Sequence, residues 1–211
     1  MSRISLIALT LTSTLLTFSA AMAQTVQNVS SYTSTNPKQC RQAGAVHDEN
    51  GGDTRVCPGP TGLVVVVSEG DLRETVSVGR TRKAAEAEPA ARAWFGPFSS
   101  TTHTIEWRQE AKGKPPFAMI QRWHLADIAD EDKDGRPKTK QVFVVTKLAP
   151  AGAKAGTGVC HVAYIDIAAN ADAIELARKA ADTLARDFKC DTGKVQAVGT
   201  SGRAVELAMP R

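Results

Sequence analysis

The 211-residue chain lacks most of the short signatures that disclose chemistry. It has no Gly-x-Ser-x-Gly and no Ser-x-x-Lys set, which leaves serine-nucleophile enzymes of those kinds without a starting point. There is no Cys-x-x-Cys, so a thioredoxin-like redox pair is missing as well. Residues 152–158 are rich in glycine but lack the Lys-Ser/Thr ending of a phosphate loop. His47, His103, His124 and His161 show no zinc-ligand spacing. No Lys/Arg block forms a stripe for nucleic acid, and no cofactor motif appears. The longest apolar stretch, Ile4 to Phe18, is fifteen residues, short of the roughly 20 that span a bilayer.

What is present starts at that stretch. Arg3 precedes it, and Ala21-Met22-Ala23 comes after it with the small-x-small pattern of a signal peptidase site. The sequence therefore predicts a signal peptide over 1–23, cleavage between Ala23 and Gln24, and a periplasmic or secreted chain without a stable membrane anchor. The remaining 188 residues suffice for one domain with a real core. They carry 25 basic and 22 acidic residues, or +3, mixed along the chain, which bears on solubility more than on a choice of partner. In an oxidising compartment Cys40, Cys57, Cys160 and Cys190 are expected to form two disulfides, with three connectivities open by counting.

Along the chain, residues 24–39 read as a flexible Ser/Thr/Asn-rich lead-in, 40–190 as a single domain and 191–211 as a tail that is loose or holds a short strand at 203–208. The β-branched run Leu63–Val67 and the alternating Leu72–Gly79 predict a tight hairpin. Lys83–Arg92 has helix-forming composition broken by Pro89, and Trp94–Phe98 returns to the core. Further strands are expected over 103–108, 117–128, 141–148 and 159–167. Asn170 is placed to cap a helix reaching Phe188, with Glu175–Lys179 and Asp182–Arg186 pairs on its outer side.

Strand and helix lengths select among the cysteine pairings. A strand of eight residues rises roughly 26 Å and a helix of nineteen roughly 28 Å. Folded back on each other, they bring Cys160 beside Cys190 and leave Cys40 for Cys57.

Few side chains suggest chemistry. Asp130, Asp132 and Asp134 before Gly135 match the first half of a calcium loop, but Gln141 stands where the bidentate Glu belongs and Pro137 interrupts the backbone. An acidic hairpin loop is the simpler reading. Glu106 with Glu74 or Asp166 makes a formal carboxylate pair that nothing in the sequence positions. Trp107 and Trp123 belong to candidate paired strands, where core packing is the better reading than an aromatic binding surface.

The runs CPGPTGLVVVVSEGDLRETVSVG, FGPFSSTTHTIEWR and CHVAYIDIAANADAIELARKAADTLARDFKC together resemble a group of small exported proteins of alphaproteobacteria to which no activity is attached. The resemblance implies a shared fold and the same paired cysteines, and carries over no catalytic residue. The expected fold is α+β: an antiparallel sheet of about six strands with one long C-terminal helix packed on it. The expected function is a non-enzymatic binding or interaction module for a periplasmic protein or small molecule. Two alternatives compete with it. One is a hydrolase or redox enzyme assembled from scattered residues, with His161, His103 and Asp166 nearest to hand. The other is a weak cation binder at Asp130–Asp134.

Overall fold

The computed structural model describes residues 27–43 and 52–209. The expected signal peptide with Ala23 and Gln24, and His47, lie outside the described residues. Ten strands form one mixed sheet among the described residues, which overturns the expected six-stranded antiparallel one. They are β1 (Val29–Ser34), β2 (Arg41–Gln42), β3 (Asp53–Pro58), β4 (Val64–Gly70), β5 (Arg73–Gly79), β6 (Ser99–Gln109), β7 (Ala118–Glu131), β8 (Pro137–Lys147), β9 (Cys160–Asp166) and β10 (Gln196–Ala197). The order is β10-β9-β8-β7-β6-β5-β4-β3-β2, with β1 added to the second half of β6. Two pairings are parallel, β9 with β10 and β5 with β6 through Arg73 and Ser99 alone. Between β5 and β6 the ladder is a single residue pair, and side chains of β3–β5 share one core with those of β6–β9.

Side-chain alternation along β7 divides the molecule. Met119, Trp123 and Leu125 face a first core with Val65, Val67, Val76, Val78, Ile105, Trp107 and Val144. Ala118 and Ile120 face a second core with Val145, Val162, Ile165 and the alanines of a helix. Both tryptophans are thus core residues, and Trp107 Nε1 donates to Thr33 Oγ1 at 2.8 Å. That bond also explains why 29–34 form a strand and not a lead-in. The hydroxyls of β1 are engaged by β6 and its neighbours, Ser30 with Glu106 and Arg108, Thr33 with Trp107.

Three short helices are present among the described residues: α1 (Arg82–Ala87), α2 (Ala173–Leu184) and α3 (Arg203–Ala208). The long C-terminal helix does not exist. Asn170 does not cap α2, because its side-chain amide bridges Asp166 O and Thr200. At the other end Lys147 Nζ takes the Arg186 carbonyl at 2.7 Å and Arg186 stacks on Phe117, which turns the chain away from helix. The expected i,i+4 pairs dissolve likewise: Glu175 pairs with Arg178, Asp182 with Arg108 and Arg186 with Glu110. In the tail, 203–208 are helix and not strand, because the buried Asp166 carboxylate accepts from Ala204 N at 2.8 Å and starts the turn.

Disulfides join Cys40 to Cys57 and Cys160 to Cys190. Among the described residues no helix is long and apolar enough to cross a membrane.

Candidate functional site

The chemistry-bearing residues singled out in the sequence are dispersed. His161 is buried against Phe95, Trp123 and Tyr164, and its Nδ1 lies 2.9 Å from the Tyr164 hydroxyl. His103 points outward, because an irregularity between Thr101 and Ile105 breaks the β6 alternation. Asp166 accepts from Ala169 N and Ala204 N and serves to tie down the C-terminal segment. Glu106 binds Arg178, and Glu74 binds Arg55 and Thr101. The three carboxylates therefore have separate partners. Asp130 is held by Lys138 and Lys140, which keep its carboxyl down at about 2. Asp132 accepts from Asp134 N and Arg136 N in the turn. Among the described residues no three His, Cys, Asp or Glu side chains are grouped to hold a metal ion.

Burial pushes the His161 imidazole down to about 4, against about 6.5 in an unfolded chain. The unfolded chain therefore binds more protons between those values, and stability falls as pH falls from about 6.5 to about 4. The loss is on the order of 3 kcal/mol. Asp127, lowered mainly by its hydrogen bonds to Arg203, and Asp130 act only below the ordinary carboxylate range, whereas His124, lowered by burial and then by Arg122, adds to the loss in the same window as His161. Thermal melts at pH 7 and pH 4.5 test this. Wild type should lose stability between them and His161→Gln should lose much less; equal losses would contradict the assignment.

What the fold does assemble is a groove of about 540 Å³ at the end of β5. Each wall has its origin in local sequence. Thr81 caps α1 by accepting from Ala84 N, and α1 packs so closely on β5 that a Cβ on Gly79 would meet Ala85 N at 2.5 Å. Pro115 and Pro116 turn the chain into Phe117, whose carbonyl accepts from Leu148 N. Leu63, Val78, Phe117, Leu148 and Val159 give the lining its apolar character.

Residues 149–158 form a strap at the groove. The buried Glu88 fastens it, with its carboxylate accepting from Gly156 N, Gly158 N and Val159 N at 2.9, 2.8 and 2.9 Å. Gly158 is required where the strap closes, since a Cβ there would meet the Ala149 Cβ at 2.5 Å. A second hollow of about 370 Å³ shares Lys147, Pro150 and Ala153 with the groove and extends to Cys190.

Four cations reach the groove: Arg80, Lys114, Lys147 and Arg186. Arg80 donates to Thr61 O, and Arg186 lies over the Phe117 ring at 3.7 Å while donating to Glu110. Lys147 stands opposite Cys160 in the β8–β9 ladder, so the disulfide to Cys190 anchors the strand beside it. Burial, then the nearby Lys189, lower the Lys147 ammonium from its usual range.

Sequence reasoning missed this site. Lys147 read as a strand end and Glu88 as a charge on a broken helix. Their partners lie 39 and 68–71 residues away, beyond any local pattern.

Away from the groove, Leu72, Trp94 and Phe98 are exposed at 61, 48 and 42%. Only Phe95 of the Trp94–Phe98 run enters the core, which corrects the expectation for that segment. Leu72 sits at φ 59, in the left-handed region that disfavours branched side chains. No protein family, curated protein or solved structure matches the chain.

Proposed function

We propose that the protein is an exported binding module that holds an apolar small molecule in the groove beside the 149–158 strap. One observation carries the reading: a concave, mainly apolar site of ligand size is bordered by a segment that a buried carboxylate fastens. The N-terminal pattern through Ala23 and the two disulfides support export. The dispersal of His161, His103 and Asp166 favours binding over catalysis.

Titration with N-phenyl-1-naphthylamine, a neutral dye that fluoresces in apolar sites, tests the reading. Wild type should show saturable enhancement. Ala84→Trp, which sets an indole into the groove from α1, should weaken it about tenfold or more, an effect of the size that filling an apolar pocket produces. Equal binding by the two chains would place the dye elsewhere and sink the proposal.

A second reading rests on Leu72. A strained, exposed leucine beside Trp94 and Phe98 has no role in the core, and such outliers mark contact sites. In that reading the β4–β5 hairpin tip meets a protein partner.

A further inference from the structure

We infer that the ligand of the groove carries an anionic group and that Lys147 receives it. This rests on the groove being the binding site and names the class of ligand: an apolar body with one carboxylate, sulfonate or phosphate.

The observation is a missing counter-charge. The Lys147 ammonium has three donors, and its one hydrogen-bond partner among the described residues is the Arg186 carbonyl. No carboxylate of the described residues lies within ion-pair distance of it; Asp187 acts only at longer range. The side chain lies partly buried between two hollows, with its bond to Arg186 open to solvent, so an anion in the groove would replace water at its remaining donors. The two acids that line the groove itself are engaged elsewhere. Glu88 is engaged by three backbone N–H groups, and Glu110 by Arg186. Arg80 and Lys114 likewise form no ion pair among the described residues, so the groove keeps an unmatched positive potential over an apolar lining. An incoming anion would supply what Lys147 lacks and leave its apolar body against Phe117, Leu148 and Val78.

Lys147 is also preorganised for that task. Its backbone pairs with Cys160, which the disulfide links to Cys190, and Lys189 adds positive charge from the same side. Rigid placement of a charge raises selectivity because little ordering remains to be done on binding.

The test compares two dyes of one ring skeleton, the neutral N-phenyl-1-naphthylamine and the anionic 8-anilinonaphthalene-1-sulfonate, at pH 7.5. Wild type should prefer the sulfonate about tenfold or more, as a charge-assisted hydrogen bond implies. Lys147→Met should bring the two affinities within about twofold of each other. Lys133→Met removes the same charge from the distant β7–β8 loop and should keep the preference. Lys147→Gln is the second variant should the methionine chain not fold. Equal binding of both dyes by wild type would overturn this inference and leave the groove reading standing. Preference undiminished in both Lys147 variants would overturn the assignment to Lys147. Binding of neither dye would overturn the groove reading and this inference with it.

Discussion

Replacing Cys160 and Cys190 together by serine should lower the unfolding free energy by about 3–4 kcal/mol, the chain-entropy value for a closed loop of this length. The two cysteines are 30 residues apart, and between them lie β9, α2 and the turn back from α2. Without the bond that whole unit is free in the unfolded chain, so the native state must order more of it. The native side also suffers, because the strand that presents Lys147 loses its anchor. Urea unfolding should show a lower midpoint and a steeper slope, because the unfolded chain without the cross-link is more expanded, and sulfonate dye preference should fall. A loss under about 1 kcal/mol would mean that other contacts hold the return from α2 to β9.

The second large effect belongs to Glu88. Three charge-assisted hydrogen bonds converge on its buried carboxylate, each worth about 1.5–3 kcal/mol when intact. Glu88→Ala strands three backbone N–H groups, but the freed strap can reach water. A net loss of roughly 4 kcal/mol is therefore expected, well below the simple sum. Glu88→Gln keeps one acceptor and the shape, and should lose about half as much. Neutral-dye affinity should drop with stability in Glu88→Ala, since the strap forms one side of the groove. If the alanine chain unfolds more readily yet binds the dye as wild type does, the strap is no part of the site.

Local pattern was enough for much of the sheet. The valine run, the alternating segment after Gly70 and the Asp134–Gly135 turn lie respectively on β4, β5 and the β7–β8 connection. Matching lengths brought the start of a strand beside the end of the next element, and the structure bonds Cys160 to Cys190. The helix between them is twelve residues and not nineteen. Composition favoured helix through Phe188, but Lys147 and Phe117 claimed Arg186, and tertiary contacts outweigh propensity at a helix end. Strand β1 was invisible because its apolar alternation is replaced by hydroxyls bonded to β6. The groove was least legible of all. Its parts are prolines, alanines and single charges from five stretches of chain, and only their convergence gives them meaning.

Amide chemical-shift mapping with the neutral dye asks most directly where this protein binds. Saturable shifts should cluster at 78–88, 110–117 and 147–159, the walls and strap of the groove. Shifts confined to Leu72, Trp94 and Phe98, or no saturable shift at all, would contradict the groove as the functional site.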